Sequence, residues 1–255
     1  MHFIDVEQGD CTLIVASETT ILIDAGEVSE SGSVVKYLNS LAIDRLDMIV
    51  ASHPHSDHIG SLSSVLDEFG ADKLIMPRVT EDMEPITSSY MNMIDSAQKC
   101  KAKIEYAKVG KTYSFDDGSS LEILAPVKDY EDYNNYSIVC KFIYGNTSFL
   151  FTGDIEKLAE RDIVESGADL SADVIKIAHH GSRTSSLKIF MQAVDPRFAA
   201  ISVGAPNDYG HPHKETLELL ELLNIKVYRT DRHGNVVMFS DGNNIEIVKE
   251  KEVSY

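Results

Sequence analysis

The segment from residue 53 to residue 58, His-Pro-His-Ser-Asp-His, places three imidazoles and one carboxylate within six positions. Imidazole nitrogen and carboxylate oxygen are ligands for borderline divalent ions such as zinc, manganese or iron. The segment follows a predicted strand at 46–52 and precedes a helix predicted from Gly60 to Phe69. A loop at a strand end holds side chains on a rigid scaffold, so the pattern predicts a metal site there.

The other histidines also cluster. The chain has nine: three in residues 53–58, an adjacent pair at His179 and His180, and a close pair at His211 and His213, with only two standing alone. A disordered His-rich tract would be one contiguous run. Clusters in three separate loops predict that these loops converge on one site.

Composition predicts a globular chain with a full core. Its 255 residues are 43% apolar, and no linker rich in Pro, Gly or Ser divides them, so one domain over residues 1–255 is expected. No signal peptide or membrane-spanning run is visible, and the latter needs about 20 apolar residues.

Cys11, Cys100 and Cys140 are far apart and odd in number. Free thiols in a reducing cytoplasm are therefore expected.

The formal charge of −18 bears on possible partners. It argues against a broad electrostatic grip on nucleic acid, which needs a basic face. It is compatible with a phosphodiester or ester substrate held by metal ions inside an acidic shell.

The hydrophobic pattern predicts an α/β (α+β) fold. A β-rich segment, a helix, a strand and a histidine cluster occur in the first half, and a similar succession follows in the second. We expect four layers, αββα, with helices outside two packed mixed sheets. The predicted strands are 1–6, 11–16, 20–24, 46–52, 73–77, 121–125, 137–144, 148–152, 174–178, 199–203, 227–229 and 235–239, and the predicted helices are 33–41, 60–69, 88–100, 155–165, 187–193 and 214–223.

Two aspartates follow predicted strands. Asp24 precedes Ala25-Gly26, where it would orient a metal ligand through a hydrogen bond or simply form an Asx turn. Asp154 follows a strand through Gly153, a residue that permits close backbone approach to a crowded centre. It is a candidate to bridge two metals, with an N-cap as the alternative.

The second half offers further candidates. Because side chains alternate along a strand, only one residue of the pair His179-His180 is expected to face the site, and His180 is favoured. Ser182 opens a hydroxyl-rich run to Ser186 that is either an anion pocket or a helix cap. His211 or His213 is a candidate ligand or proton donor, with a capping or core role as the alternative. The amides of Asn134 and Asn135 are weaker candidates.

The pattern His53-x-His55-x-Asp57-His58, preceded by LIDAG at 22–26 and followed by FTGD at 151–154, resembles the metallo-β-lactamase superfamily. FIDVEQGD at 3–10 resembles the FLDVGQGD opening of the hydrolase domain of ComEC competence proteins. HHGS at 179–182 and YGHPH at 209–213 are similar to the same group. The resemblance covers residues 3–239 and also implies kinship with phosphorylcholine esterases.

Some features depart from these families. Glu7 stands where the group usually has glycine, and no histidine lies between His58 and Asp154. Many superfamily members have a histidine just before the bridging aspartate. In this chain the role of that histidine would fall to a residue such as His180 or to water. The membrane channel of the competence proteins is absent from this chain, so DNA uptake does not carry over.

The resemblance implies two divalent ions, zinc by default and manganese as the alternative, with a bridging hydroxide that attacks phosphorus. His211 and Ser182 would help the leaving oxygen depart. The implied ligands are His53, His55 and His180 (alternatively His179) for the first ion, Asp57, His58 and His211 or His213 for the second, and Asp154 as the bridge.

Three functions remain open at this point. The first is a phosphodiesterase, either a nuclease or an esterase on small or polymer-linked diesters. The second is a hydrolase of carboxylic esters, thioesters or lactams, because the same hydroxide attacks carbonyls. The third is a metal-binding module without catalysis. The ComEC-like strings favour the first.

Overall fold

The computed structural model describes residues 1–17 and 19–251. Fifteen strands are found among these residues, and they form two mixed sheets. The strands are β1 His2–Phe3, β2 Thr12–Ala16, β3 Thr19–Ile23, β4 Leu46–Val50, β5 Ala71–Met76, β6 Lys103–Tyr106, β7 Thr112–Ser114, β8 Ser120–Ala125, β9 Val139–Tyr144, β10 Thr147–Phe151, β11 Val174–Lys176, β12 Phe198–Ile201, β13 Lys226–Arg229, β14 Val236–Ser240 and β15 Ile245–Lys249.

Each sheet is parallel on one side and antiparallel on the other. The first has the order β15-β14-β1-β2-β3-β4-β5-β6 and is parallel from β3 to β6. The second has the order β13-β12-β11-β10-β9-β8-β7 and is parallel from β10 to β13. Strands from both ends of the chain meet where β1 pairs with β14, in the register Phe3↔Val236.

Helices cover the outer faces of both sheets. Along α3, Leu62, Val65, Leu66 and Phe69 are buried, at the spacing of one helical face. Every described helix is too short or too polar to span a bilayer. The helices are α1 Ser31–Ser40, α2 Ser56–Ile59, α3 Leu62–Phe69, α4 Ser88–Lys99, α5 Lys157–Glu165, α6 Lys188–Val194, α7 Lys214–Leu222 and α8 Thr230–His233, and 3-10 turns lie at Val28–Glu30, Glu81–Met83 and Ala178–Gly181.

Three apolar layers hold the fold together. Between the sheets, residues such as Phe3 and Met48 pack with Phe142 and Phe149. A second layer joins α1, α3 and α4 to the first sheet, and a third joins α5, α6 and α7 to the second. The predicted αββα sandwich is therefore confirmed.

Several local predictions need correction. Strand β11 ends at Lys176 rather than at residue 178, and a 3-10 turn takes the chain through residues 178–181. The prediction also missed β6, β7 and β15. Residues in β6 and β15 are exposed or only partly buried, so these edge strands carry little of the hydrophobic signal that the prediction used.

Candidate metal centre

The predicted site residues follow the carboxyl ends of parallel strands. Asp24 follows β3 and residues 53–58 follow β4, while Asp154 and the pair His179-His180 follow β10 and β11. Parallel neighbours end at the same edge of a sheet, and ligands of α/β proteins gather there. Face-to-face packing of the two sheets brings the two sets of loops together.

Hydrogen bonds fix the loop at 53–58. The Ser52 amide and hydroxyl donate to the two carboxylate oxygens of Asp24, at 2.7 and 2.6 Å. Helix α2 begins right after His55, so Asp57 and His58 lie on one helical turn. The Asp10 amide donates to the backbone oxygen of Asp57 at 3.0 Å. The loop is therefore anchored on both sides.

Four ligand atoms converge from the two halves of the chain. His180 Nε2 lies 3.2 Å from Asp57 Oδ2 and 3.5 Å from Asp154 Oδ2, while His58 Nε2 lies 3.3 Å from Asp154 Oδ2 and 3.9 Å from Asp57 Oδ2. A tetrahedral zinc at its usual bond lengths separates its ligand atoms by about 3.4 Å. The four side chains therefore fit a single divalent ion.

Unpaired polar atoms at this centre support the same assignment. His58 Nε2 and Asp154 Oδ1 are buried and have no hydrogen-bond partner among the described residues. Buried polar atoms are normally paired, and one that is not needs an explanation such as an ion. Both atoms belong to the four-residue group, so the donor set fits a metal.

The opposite ring nitrogens of the two buried histidines are held by protein acceptors. His58 Nδ1 lies 2.8 Å from Asp24 Oδ2. His180 Nδ1 lies 2.9 Å from the backbone oxygen of Ser202 and 3.3 Å from Asp10 Oδ1. Such partners leave Nε2 free for a metal and orient the ring. The position of Asp24 therefore agrees with its predicted role of orienting a metal ligand, here the ring of His58.

The carboxylates create a strongly negative interior. Burial alone would lower the pKa of His58, but Asp154, Asp24 and the neighbouring carboxylates outweigh it and raise that pKa well above its ordinary value. Burial alone would raise the pKa of Asp154, but His58 and His180 hold it well below its usual range. The centre therefore stabilises added positive charge.

His53 and His55 form a neighbouring pair. His53 Nε2 lies 3.0 Å from His55 Nδ1, and the rings of His53 and His58 are 4.2 Å apart. Burial lowers the pKa of His53 well below its ordinary value, so the ring is neutral and able to act as a ligand. The geometry groups His180 with Asp57 and His58, which differs from the predicted grouping with His53 and His55.

His179 and His180 both have left-handed backbone conformations, with φ of 52° at each. Non-glycine residues adopt this region at a cost of about 1–2 kcal/mol each. The prediction that one of the two faces the site, with His180 favoured, rested on strand alternation, and that premise is wrong because the strand ends at Lys176. His180 is nevertheless the residue of the pair that belongs to the four-residue group. Both rings line the same cavity, and His179 Nε2 lies 3.8 Å from Asp154 Oδ2.

Of the two histidines at 211 and 213, only His211 lines the cavity. Its ring stacks on Tyr209 at 5.5 Å, and its buried Nδ1 has no hydrogen-bond partner in the described part of the chain. His213 instead precedes α7, and its Nδ1 accepts a hydrogen bond from the Arg183 amide at 3.2 Å.

The predicted anion pocket at the start of α6 is already filled by an internal carboxylate. Glu160 accepts hydrogen bonds from the amides of Ser186 and Leu187 at 2.6 and 2.7 Å. Ser182 is buried, and its hydroxyl pairs with that of Thr184 at 3.0 Å. Because Glu160 occupies these amides, residues 182–186 do not form the predicted anion pocket, and the helix-cap interpretation describes the loop better.

Asn134 and Asn135 have different positions. Asn135 Oδ1 accepts hydrogen bonds from the amides of Glu156 and Ala159, so it caps α5. Asn134 lines the cavity, and its buried Oδ1 has no partner among the described residues.

The candidate metal-ligating side chains lie beside a cavity of about 440 Å³. Sequence reasoning missed Gln8, Glu27, Ser56 and Tyr209 as lining residues. Gln8 and Tyr209 lie in the strings 3–10 and 209–213, which was the available signal. The lining residues are Gln8, Glu27, His55, Ser56, Asp57, Asn134, Asp154, His179, His180, Tyr209 and His211.

Comparison with known proteins identifies the family. The sequence profile of the metallo-beta-lactamase superfamily matches residues 4–205. ComE operon protein 3 of Bacillus subtilis is 30% identical over 257 aligned positions, which cover 92% of this chain and 32% of that protein. Exodeoxyribonuclease WalJ of Streptococcus pneumoniae is 30% identical over 125 positions, covering 46% of this chain and 44% of WalJ.

A solved structure confirms the fold independently. The metallo-beta-lactamase fold protein YhfI from Bacillus subtilis superposes with a TM-score of 0.57 at 10% identity, over 97% of this chain and 98% of that one. The chain spans about a third of the length of ComE operon protein 3. The profile match over most of its residues shows that the chain belongs to the metallo-beta-lactamase superfamily.

Proposed function

We propose that this chain is a phosphodiesterase that uses two divalent ions. The observation that carries the proposal is the four-residue group Asp57, His58, Asp154 and His180, which opens into the cavity. The printed name of WalJ, an exodeoxyribonuclease, adds support for phosphodiester chemistry. Zinc is proposed from the ligand types and manganese is the alternative.

The chain's own residues divide into two ligand sets. One is the four-residue group, and the other is the neighbouring pair His53 and His55, which residues lining the cavity would complete. Divalent ions bound there would stabilise negative charge on phosphoryl oxygens and make water nucleophilic at neutral pH. Asp24 and Ser202 hold the rings of His58 and His180 in place through Nδ1.

Cavity residues beside the ligand groups would contact the substrate. His211 Nδ1 and Asn134 Oδ1 are buried and unpaired within the described residues. The His211 ring is free to hydrogen-bond an ester oxygen, whereas Asn134 Oδ1 is free to accept a hydrogen bond from a hydroxyl of the substrate or from water. Tyr209 is 66% exposed and supports the ring of His211. His211 is therefore the proposed partner of the leaving oxygen, whereas Ser182 would act only indirectly.

Charge narrows the proposed substrate. The described lining of the cavity includes Glu27, Asp57 and Asp154 but no lysine or arginine. A phosphate would therefore enter only when metal ions offset these carboxylates. With a chain charge of −18, small or terminal diesters fit this site better than a long duplex held along its backbone.

Two broader predictions stay proposals. Strands from both chain ends share one sheet, which supports a single domain. The three free cysteines support a cytoplasmic location.

The test is a substrate panel. Chelator-treated protein would be assayed on bis(p-nitrophenyl) phosphate, p-nitrophenyl acetate and a chromogenic lactam, with zinc, manganese and iron added separately. The proposal predicts metal-dependent turnover mainly of the diester, lost in Asp57→Ala and retained in Asp72→Asn, a surface control paired with Arg45. Turnover mainly of the acetate or lactam would support the carbonyl alternative and overturn the proposal.

A further inference from the structure

Lys176, the last residue of β11, carries a buried ammonium group behind the metal centre. The side chain is 3% exposed, and Nζ forms an ion pair with the carboxylate of Asp10, which is 6% exposed. A charged group is buried at this depth only when it is paired. A protonated lysine is not a metal ligand, so the buried pair needs its own explanation.

Asp10 connects this lysine to the ligand histidines. Its Oδ1 lies 3.3 Å from His180 Nδ1, and its Oδ2 lies 3.8 Å from His58 Nδ1. These are the ring nitrogens that face away from the metal-binding atoms. Lys176 therefore contacts the carboxylate that stands behind both buried ligand rings.

The backbone brings Asp10 to this position by a close approach. The Asp10 amide donates to the Asp57 backbone oxygen, and the Gly26 amide donates to the Asp10 backbone oxygen at 2.8 Å. At Gly9, φ is +157°, and an added Cβ would lie 2.5 Å from the Asp57 oxygen. The chain segment is thus fixed, while the orientation of the carboxylate depends on its side-chain partners.

We propose that Lys176 is a positioning residue for metal binding. Its ammonium holds Asp10 so that the carboxylate oxygen Oδ1 stays 3.3 Å from His180 Nδ1, whose hydrogen bond goes to the backbone oxygen of Ser202 at 2.9 Å. The ring then presents Nε2 to the ion with an electron-rich acceptor behind it. The inference rests on the proposed function only in requiring that the chain binds divalent metal.

Two effects of opposite sign make the proposal testable. A positive charge near a divalent ion repels it, so loss of Lys176 through electrostatics alone would tighten metal binding. Loss of the ammonium also leaves Asp10 as a buried carboxylate without its cation, and no ion pair then fixes the orientation of that carboxylate. Loss of such an outer partner weakens metal binding about 10- to 100-fold. Because the ion pair is neutral as a unit, we expect the second effect to dominate.

The experiment measures zinc and manganese dissociation constants by chelator competition. Lys176→Met keeps the length of the side chain and removes the charge, and we expect at least about tenfold weaker binding. Lys141→Met is the matched control. Lys141 is also 3% exposed and pairs with Asp169 at 2.9 Å, but it lies on β9 away from the ligands. Its loss should lower stability and leave the dissociation constants unchanged.

A double variant separates positioning from general loosening. In Asp10→Asn, a neutral oxygen remains available to His180, but Lys176 is left without its carboxylate. Removing that lysine as well, in Asp10→Asn/Lys176→Met, should recover metal affinity relative to either single variant. This comparison stands even if Lys176→Met alone fails to fold, because the double variant buries no unpaired charge.

Each outcome has a defined meaning. Unchanged or tighter metal binding in Lys176→Met would overturn the proposal, as would a double variant that binds no better than Asp10→Asn. A wild-type protein that binds no divalent ion would instead refute the proposed function, so the two failures are distinguishable.

Discussion

The two halves of the molecule supply the metal centre in different ways. In the first half, the ligands lie on one segment, 53–58, which turns directly from β4 into α2. In the second half, Asp154, His180 and His211 come singly from loops after three successive parallel strands. The first half can be recognised from adjacent residues, whereas the second depends on strand order and on unusual backbone conformations.

The most damaging change should be loss of a carboxylate ligand from either half. We expect Asp57→Ala and Asp154→Ala each to reduce diester hydrolysis by about a thousandfold, since several kcal/mol of charge stabilisation would be lost. Steady-state kinetics at saturating metal would measure this, with Asp72→Asn as control. Near-normal activity in Asp154→Ala alone would mean that the second half does not contribute to the site as proposed.

The backbone of the second half should be the next most sensitive feature. Gly153 has φ of +51°, and an added Cβ would lie 2.8 Å from the Ser137 Cβ. We expect Gly153→Ala to lower the free energy of unfolding by about 1–3 kcal/mol, as judged by urea denaturation. Gly32→Ala in α1, where an added Cβ meets nothing within 4 Å, should instead raise it by about 0.5–1 kcal/mol. Equal changes in the free energy of unfolding for Gly153→Ala and Gly32→Ala would contradict the claim that the backbone of the second half is the more sensitive.

The internal carboxylate Glu160 gives the second half a pH dependence. Burial raises its pKa from 4.5 to about 7. Because the folded-state pKa lies above the unfolded value, its contribution to stability is complete below about pH 4.5 and is lost as the pH rises through 7. The free energy of unfolding of the wild type, minus that of Glu160→Gln, should therefore fall between these pH values.

The expected fall is on the order of 3 kcal/mol. Urea denaturation of both proteins across the pH range would measure it, and effects of other titrating groups cancel in the difference. A difference that does not change with pH would show that Glu160 is not perturbed.

The smallest effect is expected at Ser182. Its hydroxyl contacts Thr184 rather than the cavity, so Ser182→Ala should lower kcat/KM less than about tenfold, in line with the loss of one hydrogen bond. A loss as large as that of Asp154→Ala would restore the direct role predicted from the sequence.

The contrast between the halves also explains what sequence reasoning achieved. The six-residue motif, the histidine clusters and the strand–helix alternation were sufficient to predict the sandwich and the convergence of the three histidine-bearing loops on one cavity. The grouping of His180 with Asp57 was not predictable, because it depends on how two sheets pack face to face. The left-handed conformations of His179 and His180 leave no periodic signal in the sequence. Glu160 filling the helix start near Ser186 is likewise a tertiary contact across 26 residues.

The central claim is that side chains from both halves jointly bind divalent ions. The most direct measurement is elemental analysis of protein that has been stripped with chelator, equilibrated with zinc or manganese and dialysed. We predict two ions per chain in the wild type and fewer in Asp154→Ala. A wild-type chain that retains neither ion would contradict the account.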